Sequence, residues 1–178
     1  MRLSLVYISH RHFQDRCFIL NKVQVADTGT QPPLTLMTVA AWAERFGHEV
    51  QIMDANAEQL SVPQLQNRVR RHRPDVIGLS LATYTLSYYL QLARTLKQTF
   101  SVPVLVGGRH LSYFPAQTLE HPEFDYGLCG EAETNLHLFL EALQGKRSME
   151  EVPGLMYREN GQIRQVPSLL FPDDLNSL

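Results

Sequence analysis

Cysteine is nearly missing from this sequence, with Cys17 and Cys129 its only two. Two thiols so far apart give neither a disulfide framework nor a C-x-x-C metal or redox motif, and a reducing cytoplasm suits them. An excess of either charge is also missing, since 16 Lys and Arg stand against 18 Asp and Glu for a formal net charge of -2. That balance offers no general attraction to a phosphate backbone, so no nucleic-acid partner is expected. The nearest approach to a basic patch, Arg68, Arg70, Arg71 and Arg73, alternates with Val62, Leu65 and Val69 and reads as the solvated side of a helix. No apolar run approaches membrane-spanning length, and the run from Leu3 to Ile8 is too short for the core of a secretory signal. G-x-G-x-x-G does not follow the first strand and G-x-x-x-x-G-K-[ST] occurs nowhere, which removes the main support for dinucleotide and P-loop binding.

What the chain does hold is a regular alternation of short apolar runs with helical periods. Strands are predicted over residues 2–9, 49–53, 75–82, 102–106 and 126–129. Between the first two, Leu36, Val39, Ala40, Ala43 and Phe46 recur at helical spacing, with Pro33 placed to open the helix and Gly47 to end it. Ser61 and Pro63 open a second helix, residues 84–99 form a third, a short one follows Pro115, and the last carries Leu136, Phe139, Leu140 and Leu143. Five such alternations predict a doubly wound parallel α/β sheet over residues 1–150. Residues 151–178 differ in texture: Glu159, Asn160 and Gly161 between two short apolar runs signal a β-hairpin, and the stretch from Pro167 onward reads as a linker.

Ligands of open α/β sheets sit outside the carboxyl ends of the strands. Four loops converge there: residues 9–33, 80–85, 107–110 and 130–134. The first is long and aperiodic, as a ligand-covering loop or a floppy insertion would be. Ser80, Thr83 and Thr85 bring hydroxyls, while Gly107 and Gly108 bring bare backbone that lets a thin ligand arm or a tight turn come close. Glu131 and Glu133 suit the first turn of a helix. His10, His12 and His72 have no acidic or cysteine companions at metal-site spacing, which favours structural or surface roles.

In order and spacing, Pro32-Pro33 with its apolar helix, Gly47-His48-Glu49-Val50, Asp54, residues 74–80 (PDVIGLS), Val106-Gly107-Gly108, His110 and Gly130-Glu131-Ala132-Glu133 resemble the cobalamin-binding domain of B12-dependent radical SAM proteins, of the kind found in anaerobic magnesium-protoporphyrin monomethyl ester cyclase and many methylases. Residues 154–178 resemble the connector into their radical SAM domain. The resemblance implies a flavodoxin-like sheet of order 2-1-3-4-5 that takes the nucleotide tail of cobalamin beside it. It further implies that Ser80 hydrogen-bonds the tail, that Gly107 and Gly108 let it pass, and that Thr83, Tyr84 and His110 lie near the corrin or tail, with Gly130 and Glu131 also at the cofactor.

Two departures stand out. His10 and Asp15 occupy the Asp and Gly places of the D-x-H-x-x-G seen in many methyltransferase and mutase domains, so no protein ligand to the cobalt is expected, although His12 stands at the histidine place. Ala132 replaces the glycine of the G-E-G-E form. The C-x-x-x-C-x-x-C that would hold a 4Fe-4S cluster is lacking, so the cluster and S-adenosylmethionine are expected only in a radical SAM domain of the same polypeptide outside this sequence. The expected function is the cobalamin-binding N-terminal module of such an enzyme, not competent for catalysis alone. The alternatives are a free-standing flavodoxin-like binding or signalling domain without cobalamin, or a small α/β enzyme acting through His110 or Glu131.

Overall fold

The computed structural model describes residues 1–8 and 32–167. Its strands are β1 (Arg2–Tyr7), β2 (Glu49–Asp54), β3 (Val76–Ser80), β4 (Val104–Gly107), β5 (Tyr126–Leu128), β6 (Leu155–Glu159) and β7 (Gln162–Gln165). They form one sheet in the order β2-β1-β3-β4-β5-β6-β7, parallel from β2 through β5 and antiparallel beyond. The expected 2-1-3-4-5 order is thus present. The expected hairpin pairs with β5 and carries the same sheet to seven strands.

Side-chain parity divides the core into two. Leu3, Leu5, Val76, Leu105 and Leu128 point to the face covered by α1 (Leu34–Arg45) and α6 (Ala132–Leu143). Val6, Ile77, Leu79, Val104 and Val106 point to the face covered by α2 (Val62–His72) and α3 (Leu86–Thr99). Burial on both faces is why these strands read as continuous apolar runs instead of alternating ones. On α2, Leu65 and Val69 are buried as expected, but Val62 is 46% exposed, because it sits in the first turn before the helix reaches the core.

Local chemistry sets the element ends. Ser61 caps α2, and Gln64 Oε1 accepts from both the Ser61 N–H and its hydroxyl, at 2.9 and 2.7 Å. Asn160 and Gly161 take positive φ angles of 51° and 79°, the two-residue turn that matches the twist of the β6–β7 hairpin. Where one short helix was expected around Pro115, two occur: α4 (Arg109–Tyr113) and α5 (Pro115–Glu120). The break falls at Phe114, since the residue before a proline is pushed out of the helical region.

Two side chains tie distant elements together. The Tyr89 hydroxyl of α3, buried beneath the sheet, accepts the Ile8 N–H at 3.0 Å, just past the end of β1. On β6, the Arg158 guanidinium donates to the carbonyls of Phe124 at 2.7 Å and His121 at 2.8 Å, and to that of Leu119. The hairpin is thereby clamped to the segment between α5 and β5.

Candidate functional site

A slot of about 110 Å3 opens at the carboxyl edge of the sheet, between the first halves of α1 and α6. Its floor follows from register. Gly78 pairs with Leu105 and Ser80 with Gly107, and residues paired across parallel strands share a face, so two glycines and a serine leave a trough on the α1/α6 side. Thr35, Leu36 and Val39 form one wall, and Ala132, Glu133 and Leu136 the other. Toward the amino edge the helices close on each other, where Phe46 stacks on His137 with ring centroids 3.9 Å apart and planes 7° apart. The slot's inner lining, Leu5, Val39, Gly78, Leu105 and Leu136, stops short of that stack, and its mouth is at the carboxyl edge.

The two adjacent glycines have different reasons to be glycine. A Cβ on Gly107 would meet only the Leu128 carbonyl, at an ordinary 3.6 Å, so nothing in the fold forbids a side chain there and its absence leaves the slot open. Gly108 has φ 92° and ψ 178°, and a Cβ would lie 2.7 and 2.9 Å from the Leu81 carbonyl oxygen and nitrogen. Here the missing side chain lets the loops after β3 and β4 zip together, as Leu81 N–H donates to the Gly107 carbonyl at 2.8 Å and His110 N–H to that of Leu81 at 3.1 Å. Gly108 still lines the slot, yet the backbone itself demands it.

Of the other residues singled out from sequence, Ser80, Gly130 and Glu131 also line the slot. The Ser80 hydroxyl makes no hydrogen bond among the described residues and is free for a ligand. Thr83, Tyr84 and His110 lie outside the slot's lining. His110 is buried, its Nδ1 3.1 Å from Thr83 Oγ1 and its ring 5.3 Å from that of Phe114, and burial holds its imidazole below the ordinary pKa of 6.5. Tyr84 is 68% exposed. His12 and most of the 9–33 loop fall outside the described residues.

Sequence reasoning missed Gly78 and Glu133 as site residues. Gly78 spaced two before Ser80 was the available signal, since strand residues two apart share a face. Glu133, 9% exposed, lines the slot as well as standing in the first turn of α6. Cys129 is buried, 3.7 Å from the Met156 sulfur, and burial pushes its thiol pKa up, so it is a core side chain and not a nucleophile. Among the described residues no group of three or more His, Cys, Asp or Glu could hold a metal ion, and no helix is long and apolar enough to cross a membrane.

Fold and slot together define a flavodoxin-like, doubly wound domain with a narrow slot at the carboxyl edge of its sheet, where domains of this class hold their ligands. More particularly, the chain belongs to the B12 binding domain family, whose pattern matches residues 23–140. It is 31% identical over 140 residues to the uncharacterized methyltransferase PH0819 of Pyrococcus horikoshii, covering 78% of this chain and 30% of that protein. With the anaerobic magnesium-protoporphyrin IX monomethyl ester cyclase of Synechocystis it shares 26% identity over 147 residues, covering 80% of this chain and 30% of the cyclase. The chain thus spans less than a third of these relatives' length. Among solved structures, the cobalamin-dependent S-adenosylmethionine radical enzyme OxsB, with aqua-cobalamin and S-adenosylmethionine bound, superposes with a TM-score of 0.77 at 19% identity, covering 96% of this chain and 22% of OxsB.

The residues present fit cobalamin. A narrow slot whose floor is bare at Gly107 and covered by Leu5 at Gly78, with an unpaired hydroxyl at Ser80 and apolar walls, suits a thin arm that carries polar groups near the mouth and a flat apolar group at its tip.

Proposed function

We propose that this chain is the cobalamin-binding portion of a radical SAM enzyme of the methyltransferase or cyclase type, holding the nucleotide tail in the slot and the corrin over the carboxyl edge of the sheet. The observation that carries this reading is the trough of Gly78, Ser80 and Gly107 between α1 and α6, in a chain of the B12 binding domain family.

Ser80 would donate or accept a hydrogen bond to the tail as it enters, and Leu36, Val39 and Leu136 would exclude water from its tip. The Thr83–His110 pair, on the loops after β3 and β4, would form part of the rim on which the macrocycle rests, with Tyr84, Tyr113 and Phe114 exposed around it. Bound cobalamin supplies a cobalt centre able to carry a methyl group or assist radical chemistry, and the protein's share is orientation and shielding. The 4Fe-4S cluster and S-adenosylmethionine would belong to a radical SAM domain of the same polypeptide, and the enzyme would work in the cytoplasm. That assignment is supported by the S-adenosylmethionine radical enzyme among the structural neighbours and by a chain with too few cysteines to hold a cluster.

Mixing the purified chain with hydroxocobalamin, desalting and recording the visible spectrum tests this reading. Roughly one equivalent of corrinoid should stay with the protein, and Gly107→Val should lose it while keeping the wild-type fold by circular dichroism. A wild-type chain that retains none, or a folded Gly107→Val that retains all of it, would overturn the reading.

A further inference from the structure

Resting on the reading that the nucleotide tail enters the slot, we propose that the slot also selects the tail's base, taking benzimidazole-type bases and discriminating against purines. The distribution of polar groups along its depth carries this. Ser80 and Gly107 are the last residues of β3 and β4, and Thr35, Glu131 and Glu133 belong to the first turns of α1 and α6 or precede them, so the polar lining gathers at the mouth. Two residues further in, which is about 6–7 Å along a strand, stand Gly78 and Leu105. Around them Leu5, level with Gly78, and Val39 and Leu136, in the second turns of α1 and α6, complete the inner end, all 2–6% exposed. Leu5 seals the floor, its Cδ2 lying 2.6 Å from where a Cβ on Gly78 would stand. No side-chain donor or acceptor lines this inner half.

The base is the last group of the tail and so enters deepest. A benzimidazole presents apolar carbon edges to such an end. A purine such as adenine presents further ring nitrogens and an exocyclic amine, each stripped of water with no partner in these walls. An apolar pocket rejects an added polar group only moderately, so discrimination on the order of ten- to a hundredfold is expected, not exclusion. Glu133 does not alter this, because it stands in the first turn of α6, three residues or about 4.5 Å before Leu136, and a helical side chain leans toward the helix N-terminus and so toward the mouth.

The test is equilibrium binding of three probes to the full 178-residue chain: cobalamin, its adeninyl analogue, and cobinamide, which has no nucleotide. Each affinity is corrected for the fraction of free probe whose base is off the metal, since only that form can enter. Cobalamin should bind about ten- to a hundredfold more tightly than the adeninyl analogue, and cobinamide more weakly than cobalamin. Equal affinities for the two complete cobamides, with cobinamide weaker, would overturn base selection and leave the slot reading standing. Cobinamide binding as tightly as cobalamin would overturn the slot reading itself. In a Leu136→Gln variant that folds, the new amide should narrow the ratio between the two complete cobamides at least threefold, and an unchanged ratio would count against selection by these walls.

Discussion

At the scale of single residues, the neighbouring glycines separate function from folding. Gly108 sits in a backbone region essentially closed to other residues and presses on the Leu81 backbone, so Gly108→Ala should cost about 1–3 kcal/mol of stability whether or not a ligand is present. Gly107 has an ordinary neighbour distance for a Cβ, so Gly107→Ala should leave stability nearly unchanged while weakening corrinoid retention. Urea denaturation of both variants beside their spectra after desalting checks this. Equal destabilisation by the two would remove the distinction between a glycine kept for the backbone and one kept for the slot. Ser80 belongs with Gly107, because its hydroxyl has no duty among the described residues and Ser80→Ala should be felt in binding more than in folding.

At the scale of elements, the β6–β7 hairpin is held by more than its ladder to β5. Arg158 reaches three carbonyls of the segment before β5, a fan of donors that only a guanidinium supplies. Arg158→Met should cost about 2 kcal/mol or more, because carbonyls left half-buried without partners lose their hydrogen bonds outright. Arg158→Lys should recover only part of that, since a single ammonium cannot bridge all three. Hydrogen exchange should then quicken in β6 and β7 ahead of β1 and β3. Uniform quickening across the sheet would mean that the hairpin and the parallel core do not open separately.

At the scale of the whole molecule, acid sensitivity follows from three histidines. Burial is the first cause lowering the pKa values of His48, His110 and His137 below 6.5; the N-terminal ammonium adds to it at His48, and the nearby Glu141 opposes it at His137. Each binds its proton less readily folded than unfolded, so their contribution to stability is complete above pH 6.5 and is lost as pH falls below that value. Glu123 and Glu141, lowered from 4.5 by Arg94 and Arg147, begin to matter only in stronger acid. Denaturation midpoints should therefore fall between about pH 7 and pH 5, and replacing His48 and His137 by Gln should flatten that fall. A slope untouched by the double replacement would place the sensitivity elsewhere.

By itself the sequence determined the alternation of elements, the ends of the helices, the hairpin turn and the presence of a crevice where Gly107 and Gly108 follow an apolar strand. Those features are local: a capping serine, a turn with two positive φ angles and a β-branched run depend on near neighbours in the chain. The resemblance of the ordered motifs to cobalamin-binding domains was legible for the same reason, and Ser80, Gly107, Gly130 and Glu131 do meet around one slot. Tertiary structure alone decided which face of the sheet holds that slot, since the pairing of Gly78 with Leu105 and Ser80 with Gly107 sets side-chain parity across strands far apart in sequence. It also turned His110 toward Thr83 and away from the slot, pressed Gly108 against Leu81, and set Glu133 at the mouth. The physical reason is common to all three: each depends on the distance between two loops or two helices. For the loops that distance is fixed by the pairing of β3 with β4, and for Glu133 by how α1 and α6 pack on the sheet, and no local pattern of residues encodes either.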